Sequence, residues 1–361
     1  MEKDNKKTCL YDKHVAQGAL MSPFGGFIMP IQYTNIVDEH QAVRQACGVF
    51  DVSHMGEVLV SGSQAERYVN YIFTNDVSGM PDGKILYGMM CYDNGGVVDD
   101  LLVYKMASDR FFLVINAANI DKDWAWIQEQ AAGYDVTLEH QSEQYGELAI
   151  QGPQAEDVME HVLGISCKEL SFYTFKQIGD IIVSRTGYTG EDGFEVYATP
   201  YYISECWDKL MAAGVKPCGL GCRDTLRFEV GLPLYGDELS ADITPLMAGL
   251  GTFVKLDKHD FIGRAALTRQ KSEGPQKKLI GIELQDKAIP RHGYAVLKDG
   301  KTIGEVTTGY HTISTDKSVC MALIDASCAA LGTEVDIQIR KKTFPGIVCK
   351  KRFYDKHYKK G

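Results

Sequence analysis

The chain has 361 residues, 45% of them hydrophobic and 24% charged, which is enough for two or three separately packed cores. A formal net charge of −10 argues against a nucleic-acid backbone as the main partner, since phosphate contacts need clustered Lys and Arg. No run of about 18 apolar residues and no charged-then-apolar leader is found, so the expectation is a cytoplasmic protein with no membrane segment.

The ten cysteines are mostly scattered singly, do not form a disulfide framework, and are expected to be reduced and buried. Cys218-Gly-Leu-Gly-Cys222 has three residues between its thiols and no second Cys or His pair at suitable spacing, so no metal site is expected there.

In chain order, residues 1–8 are polar and expected to fray. Residues 34–48 read as a helix, with a capping residue at the start, helical spacing of Ile36, Val37 and Val43, and Gly48 as a stop. Residues 49–60 shift to strand periodicity, and Ser61-Gly-Ser63 caps a short helix through Tyr68 and Ile72. The apolar runs 97–104 and 111–116 read as a hairpin. Inside it stand Asp99 and Asp100. Successive strand side chains face opposite ways, so at most one of the two looks into any given pocket. A carboxylate in an apolar setting needs a partner, hydrogen bonds or a shifted pKa. The sequence alone leaves open a solvated turn acid and a backbone-bonded one beside a functional pair. Residues 121–132 form a helix with an acidic first turn and Gly133 at its end, favourable for the helix dipole. The order of strands and helices suggests an α+β layer.

Farther on, residues 147–152 read as a strand and Pro153 opens a helix to Leu163. A strand at 181–184 leads into Gly187-Tyr-Thr-Gly-Glu-Asp-Gly-Phe-Glu-Val-Tyr197. Its glycines do not make a phosphate loop, because no Lys is present and Glu191 and Asp192 would repel phosphate. It reads instead as a turn between strands, which puts Glu195 inside a strand. Helices follow at 202–213 and 221–230, the second carrying Arg223 and Arg227 on one face. These arginines either pair with Asp224 and Glu229 or bind a carboxylate or carbonyl-rich ring. From about residue 279 short alternating runs predict an all-β barrel or sandwich. The polar stretch 269–278 is the clearest boundary, and the basic stretch 350–360 reads as a solvated tail.

Eight stretches, in order, carry a resemblance. They are Leu10-Tyr-Asp-Lys-His14, Phe24-Gly-Gly-Phe-Ile-Met-Pro-Ile-Gln-Tyr33, Phe50-Asp-Val-Ser-His-Met-Gly56, Gly95-Gly-Val-Val-Asp-Asp-Leu101, Ile150-Gln-Gly-Pro153, Gly187 through Glu195, Arg223-Asp-Thr-Leu-Arg227 and Phe261-Ile-Gly-Arg264. Together they resemble the aminomethyltransferase, or T-protein, family of the glycine cleavage system. The resemblance implies an α+β fold of three domains arranged like a cloverleaf around a folate channel. Residues 1–275 would be the folate-binding part, in two interleaved subdomains (1–50 with 140–275, and 51–139), and residues 276–361 the C-terminal β-barrel or sandwich. It also implies tetrahydrofolate as co-substrate, a lipoylated H-protein as carrier, and functional linkage to the P- and L-proteins. The implied reaction moves the methylene of the aminomethyl-lipoyl carrier to tetrahydrofolate and releases ammonia.

On matching positions, Asp100 is the implied catalytic aspartate, stabilising an electron-poor, iminium-like carbon and holding the folate amine in line, with Asp99 as its structural partner. Asn116 would touch the pterin and Glu195 would accept from its amino-pyrimidine edge, where a carboxylate is a bidentate acceptor. Arg223 would bind substrate with Arg227 as a second, Tyr87 and Tyr188 would wall the pterin, and Arg291 would meet the folate tail. A C-terminal family tyrosine is matched to Tyr358 in preference to Tyr354. Phe27 departs from a common Trp, and Cys91-Tyr-Asp93 from a Leu-containing approach to the glycine pair. Relatives that serve iron-sulfur maintenance or tRNA modification carry a Lys-Gly-Cys signature, whereas Lys258-His-Asp-Phe-Ile-Gly-Arg264 has no cysteine. Sarcosine or dimethylglycine dehydrogenases need a flavin domain with a dinucleotide-binding glycine motif, which this chain lacks. A folate-holding protein without turnover is the remaining rival, and the intact set Asp100, Asn116, Glu195 and Arg223 argues against it.

Overall fold

The computed structural model describes residues 5–359. A five-stranded antiparallel sheet runs in the order Ile85–Cys91, Val97–Ala107, Arg110–Ile115, Gly56–Ser61, Thr137–His140. A six-stranded sheet runs Phe175–Ile178, Ile181–Ser184, Gly193–Ala198, Gly146–Gln151, Gly48–Asp51, Lys216–Pro217, with only the last pair parallel.

Alternation along the strands decides where the cores lie. Val58, Val60, Leu101, Val103 and Leu113 pack under the helices Ala65–Ile72 and Ile120–Gln130. On the other sheet Leu148, Ile150, Phe194 and Val196 pack under Ala155–His161 and Pro200–Ala212. The opposite faces of the two sheets meet each other through Tyr104, Phe112, Val114, Phe175, Ile182 and Tyr197. That inner layer is the one that carries carboxylates.

The C-terminal runs close into a six-stranded barrel, Lys277–Leu284, Ser318–Asp325, Lys301–His311, Ala295–Lys298, Glu334–Ile339, Lys342–Cys349, which resolves the barrel-or-sandwich alternative in favour of the barrel. Leu279, Val319, Met321 and Leu323 fasten it to Met89, Val97 and Phe228 through one shared apolar cluster. The hairpin of Val97–Ala107 and Arg110–Ile115 forms as the sequence suggested, with a register shift near Lys105. Its entry needs glycine, because a Cβ on Gly96 would lie 1.7 Å from the Ala241 carbonyl oxygen.

Several expectations need correction. Residues 1–4 fall outside the described residues, but Lys6–Lys7 do not fray: they pair in parallel with Phe27–Gln32, and Thr8 donates to Asp51 at 2.6 Å. The run 49–60 is not one strand, since the bend after Asp51 sends Gly48–Asp51 and Gly56–Ser61 into different sheets. The stretch 269–278 is largely not a linker; Arg264–Glu273 is helical, anchored by Leu267, and ends at Gly274 with φ 82°. The helix Ala65–Ile72 has no side-chain cap, and Gly62 instead accepts from Ala65 through its carbonyl. Asn35, not Thr34, caps Ile36–Gln45, and Gly48 opens the next strand without stopping that helix. All ten cysteines are free thiols. Among the described residues no helix is long and apolar enough to cross a membrane.

Candidate active site

Where the two sheets and the barrel converge there is a cavity of about 1190 Å³. Strand alternation sorts the acidic pair. Asp100 faces the cavity, whereas Asp99 is fully buried on the other side. Asp99 is saturated: its oxygens accept from the Asn116 backbone N–H at 3.0 Å, from Asn116 Nδ2 at 2.9 Å and from Asn119 Nδ2 at 2.7 Å. Asp100 is held by two groups, the Tyr87 hydroxyl at 2.9 Å and Asn116 Nδ2 at 3.0 Å. Tyr87 reaches it as a diagonal cross-strand neighbour, because Tyr87 pairs with Leu102 and Met89 with Asp100. Burial, and then the adjacent Asp99 charge, push the Asp100 carboxyl up to about 7. It can therefore exchange a proton near neutrality.

The six-stranded sheet supplies the facing wall. Glu195 lies opposite Ser184 and Ala149, is buried, and accepts from the Thr186 hydroxyl. Burial raises its pKa. The turn before it is shaped by Gln151, whose side chain would collide with a Cβ on Gly187 at 2.0 Å and on Gly193 at 2.4 Å. Glu191 and Asp192, expected on that turn, are there but are buried as ion-pair partners of Arg44 and Arg185.

Arg223 and Arg227 separate. Arg227 is fully buried and saturated by Asp224 at 2.7 Å, Glu238 at 2.7 Å, the Leu232 carbonyl and Thr308. Arg227 also lines the cavity, with its donors engaged by these protein groups, and Glu229 pairs with Arg44 and His40 instead. Arg223 lies 4.8 Å over the Tyr188 ring, and its Nη1 is buried with no hydrogen-bond partner among the described residues.

Tyr87, Tyr188 and Tyr358 all line the cavity, Tyr358 stacking on Phe172 at 4.3 Å. Tyr354 instead stacks against Arg44. Arg291 does not reach the cavity: it is exposed on the barrel, 5.7 Å from the Tyr310 ring, in a separate groove with Tyr294 and Phe344. Sequence reasoning missed Glu147, His54, Phe172 and Tyr173. His54 is buried, its Nδ1 lacks a partner among the described residues, and burial lowers its pKa to about 4. Tyr173 lines the wall with φ 61°, a left-handed conformation unusual for a non-glycine. Lys351 and Lys356, from the supposed solvated tail, also line the cavity, and burial lowers both to about 8.

Such a cavity suits a flat heterocycle. Aromatic walls offer stacking, Glu195 offers a bidentate acceptor for N–H donors, and Arg223 Nη1 offers a donor with no partner among the described residues.

Residues 10–258 match the GCVT N-terminal domain family, and residues 277–355 the glycine cleavage T-protein C-terminal barrel domain. An aminomethyltransferase of Lysinibacillus sphaericus is 50% identical over 98% of this chain and 99% of its own length. One from Alkaliphilus oremlandii is 48% identical, with 98% and 99% covered. The crystal structure of the glycine cleavage system aminomethyltransferase T from Bartonella henselae superposes with a TM-score of 0.94 at 32% identity, covering 98% of this chain and 99% of that one. The chain belongs to the glycine cleavage T-protein family, the tetrahydrofolate-dependent aminomethyltransferases.

Proposed function

We propose that Asp100 is the catalytic carboxylate of this aminomethyl transfer. The observation that carries the assignment is its placement, a half-buried acid lining the cavity with Tyr87 and Asn116 each fixing one of its oxygens. Tetrahydrofolate, when bound, supplies the amine that accepts the one-carbon unit. Ionised Asp100 opposes the positive charge that builds on the transferred carbon, and a pKa near neutrality lets its Oδ atoms take up a proton. Asn116, itself anchored by Asp99, holds the carboxyl in that geometry, and in this reading touches the pterin from the same position. Glu195 accepts from the N–H edge of the pterin, Arg223 donates from Nη1, and Tyr87, Tyr188 and Tyr358 wall the ring.

The carrier in this reading is the lipoylated H-protein, working with the P- and L-proteins. The compartment is the cytoplasm, supported by ten unpaired thiols. The five-stranded sheet corresponds to the subdomain 51–139, the six-stranded sheet to 1–50 with 140–275, and the barrel to 276–361.

The test compares wild type with Asp100→Asn, measuring ammonia and methylenetetrahydrofolate formed from aminomethylated, lipoylated H-protein and tetrahydrofolate. The expected loss is about 10³-fold with tetrahydrofolate binding retained. A variant that keeps most of its rate removes Asp100 from the chemistry. A wild-type chain that binds tetrahydrofolate yet forms no product restores the binding-protein rival.

A further inference from the structure

Behind the pocket wall the two sheets trap a ring of hydroxyls. Glu195 accepts from Thr186, and Thr186 Oγ1 lies 2.5 Å from Ser184 Oγ. The Tyr104 hydroxyl donates to Ser184 at 3.2 Å and lies 2.9 Å from the Tyr197 hydroxyl. Tyr197 in turn lies against two carboxyls, Glu195 and Glu147. Strand register explains the assembly: Glu147 pairs with Tyr197, Ser184 with Glu195, and Tyr104 projects from the facing sheet. Glu147 is 2% exposed, lines the cavity, and has an Oε2 with no hydrogen-bond partner among the described residues.

The charged and titratable groups facing Glu147 are Glu195, Glu57 and Arg223, with Tyr197 beside it. The one cation among them, Arg223, forms no ion pair with it at salt-bridge distance, and Glu57 is itself buried with an unpartnered Oε2. Two further carboxyls and a sealed setting disfavour a charge on Glu147, and burial raises its pKa well above the ordinary value. A carboxylic acid, unlike a carboxylate, has a proton to donate.

We propose that Glu147 is a positioning residue held as a neutral carboxylic acid, which completes the hydroxyl ring and leaves Glu195 as the charged acceptor that this wall of the cavity offers to an N–H-bearing ligand. This rests on the reading of Glu195 as the acceptor for the pterin edge. No covalent step is involved; at rest the proton is on Glu147, and Glu195 is the carboxylate, its own proton having passed to solvent.

The experiment is tetrahydrofolate titration without carrier protein, joined to infrared difference spectra of the whole chain at neutral pH. Glu147→Met should weaken binding about tenfold, the worth of one hydrogen bond to a charged group. Glu147→Gln, which keeps a donor but cannot ionise, should restore it. The wild type should show a protonated-carboxyl C=O band that Glu147→Gln lacks. Tyr197→Phe serves if the Met variant does not fold, and should weaken binding by several-fold. A Gln variant as weak as Met, a Met or Phe variant as tight as wild type, or no band difference overturns the proposal. Failure of the underlying reading is separate: Glu195→Gln would then leave tetrahydrofolate affinity unchanged, while the carboxyl band would still report on Glu147.

Discussion

The cavity wall and the scaffold directly behind it use the same residue types to opposite ends. Asp99 and Asp100 are neighbours on one strand, and Arg223 and Arg227 stand one turn apart on the helix Leu220–Glu229. Asp99 is sealed behind the wall and Arg227 borders the cavity, and both have their hydrogen-bonding groups engaged by protein partners. Asp100 and Arg223 belong to the cavity, and the protein leaves them capacity to spare: Arg223 Nη1 has no partner among the described residues. For these two pairs, filled capacity goes with holding the site and unfilled capacity with what a ligand is to meet.

The sharpest way to break that comparison is to exchange each arginine for an apolar residue. Arg227→Met leaves the sealed Glu238 carboxylate without its counter-charge and should lose about 3–5 kcal/mol in urea unfolding. Arg223→Met should unfold within about 1 kcal/mol of wild type while weakening tetrahydrofolate binding about tenfold. Equal losses of stability from the two variants would erase the distinction.

The aspartates give the next largest contrast. Asp99→Ala strands the Asn116 N–H and the Asn119 amide and should cost about 2–3 kcal/mol in thermal or chemical unfolding. Asp100 acts through pH. Its folded pKa is raised to about 7 from an ordinary 3.8, so between those values the folded chain holds a proton that the unfolded chain has released. This group's contribution to stability is therefore full below the lower value and is lost as pH rises through the upper one. Asp100→Asn should flatten that fall by about 4 kcal/mol across the interval. In the wild type, the transfer rate should climb as pH passes about 7 and the folded carboxylate forms, which a pH–rate profile would record.

The smallest effect sharpens the boundary of the site. Arg291→Ala should change tetrahydrofolate affinity by less than about twofold, because its side chain stands outside the cavity and surface substitutions of that kind are near neutral. A large loss in a binding titration would return Arg291 to the ligand.

Much of the candidate site was legible because a carboxylate inside an apolar strand is conspicuous. Asp99, Asp100 and Glu195 were all found by that signal. The same signal was present for Glu147, in the run Glu147-Leu-Ala-Ile-Gln-Gly152, and went unread because a single strand end does not show which groups face it across two sheets. Phe172 and Tyr173 carried no such mark: aromatics in a polar loop are common, and only the fold shows these two lining a cavity.

Residue order alone carried most of the strands and helices, the barrel texture of the C-terminal part, the alternation that sets Asp99 against Asp100, and, through ordered motifs, the family. These follow from local periodicity, turn chemistry and residue type, all of which act over a few positions. Long-range packing decided which arginine is already satisfied, that residues 269–273 are helix, and that Lys351 and Lys356 fold back onto the site. Those outcomes depend on groups distant in the chain, such as Arg227 with Glu238 and Thr308, whose pairing is fixed by packing of whole sheets and not by any neighbouring residue.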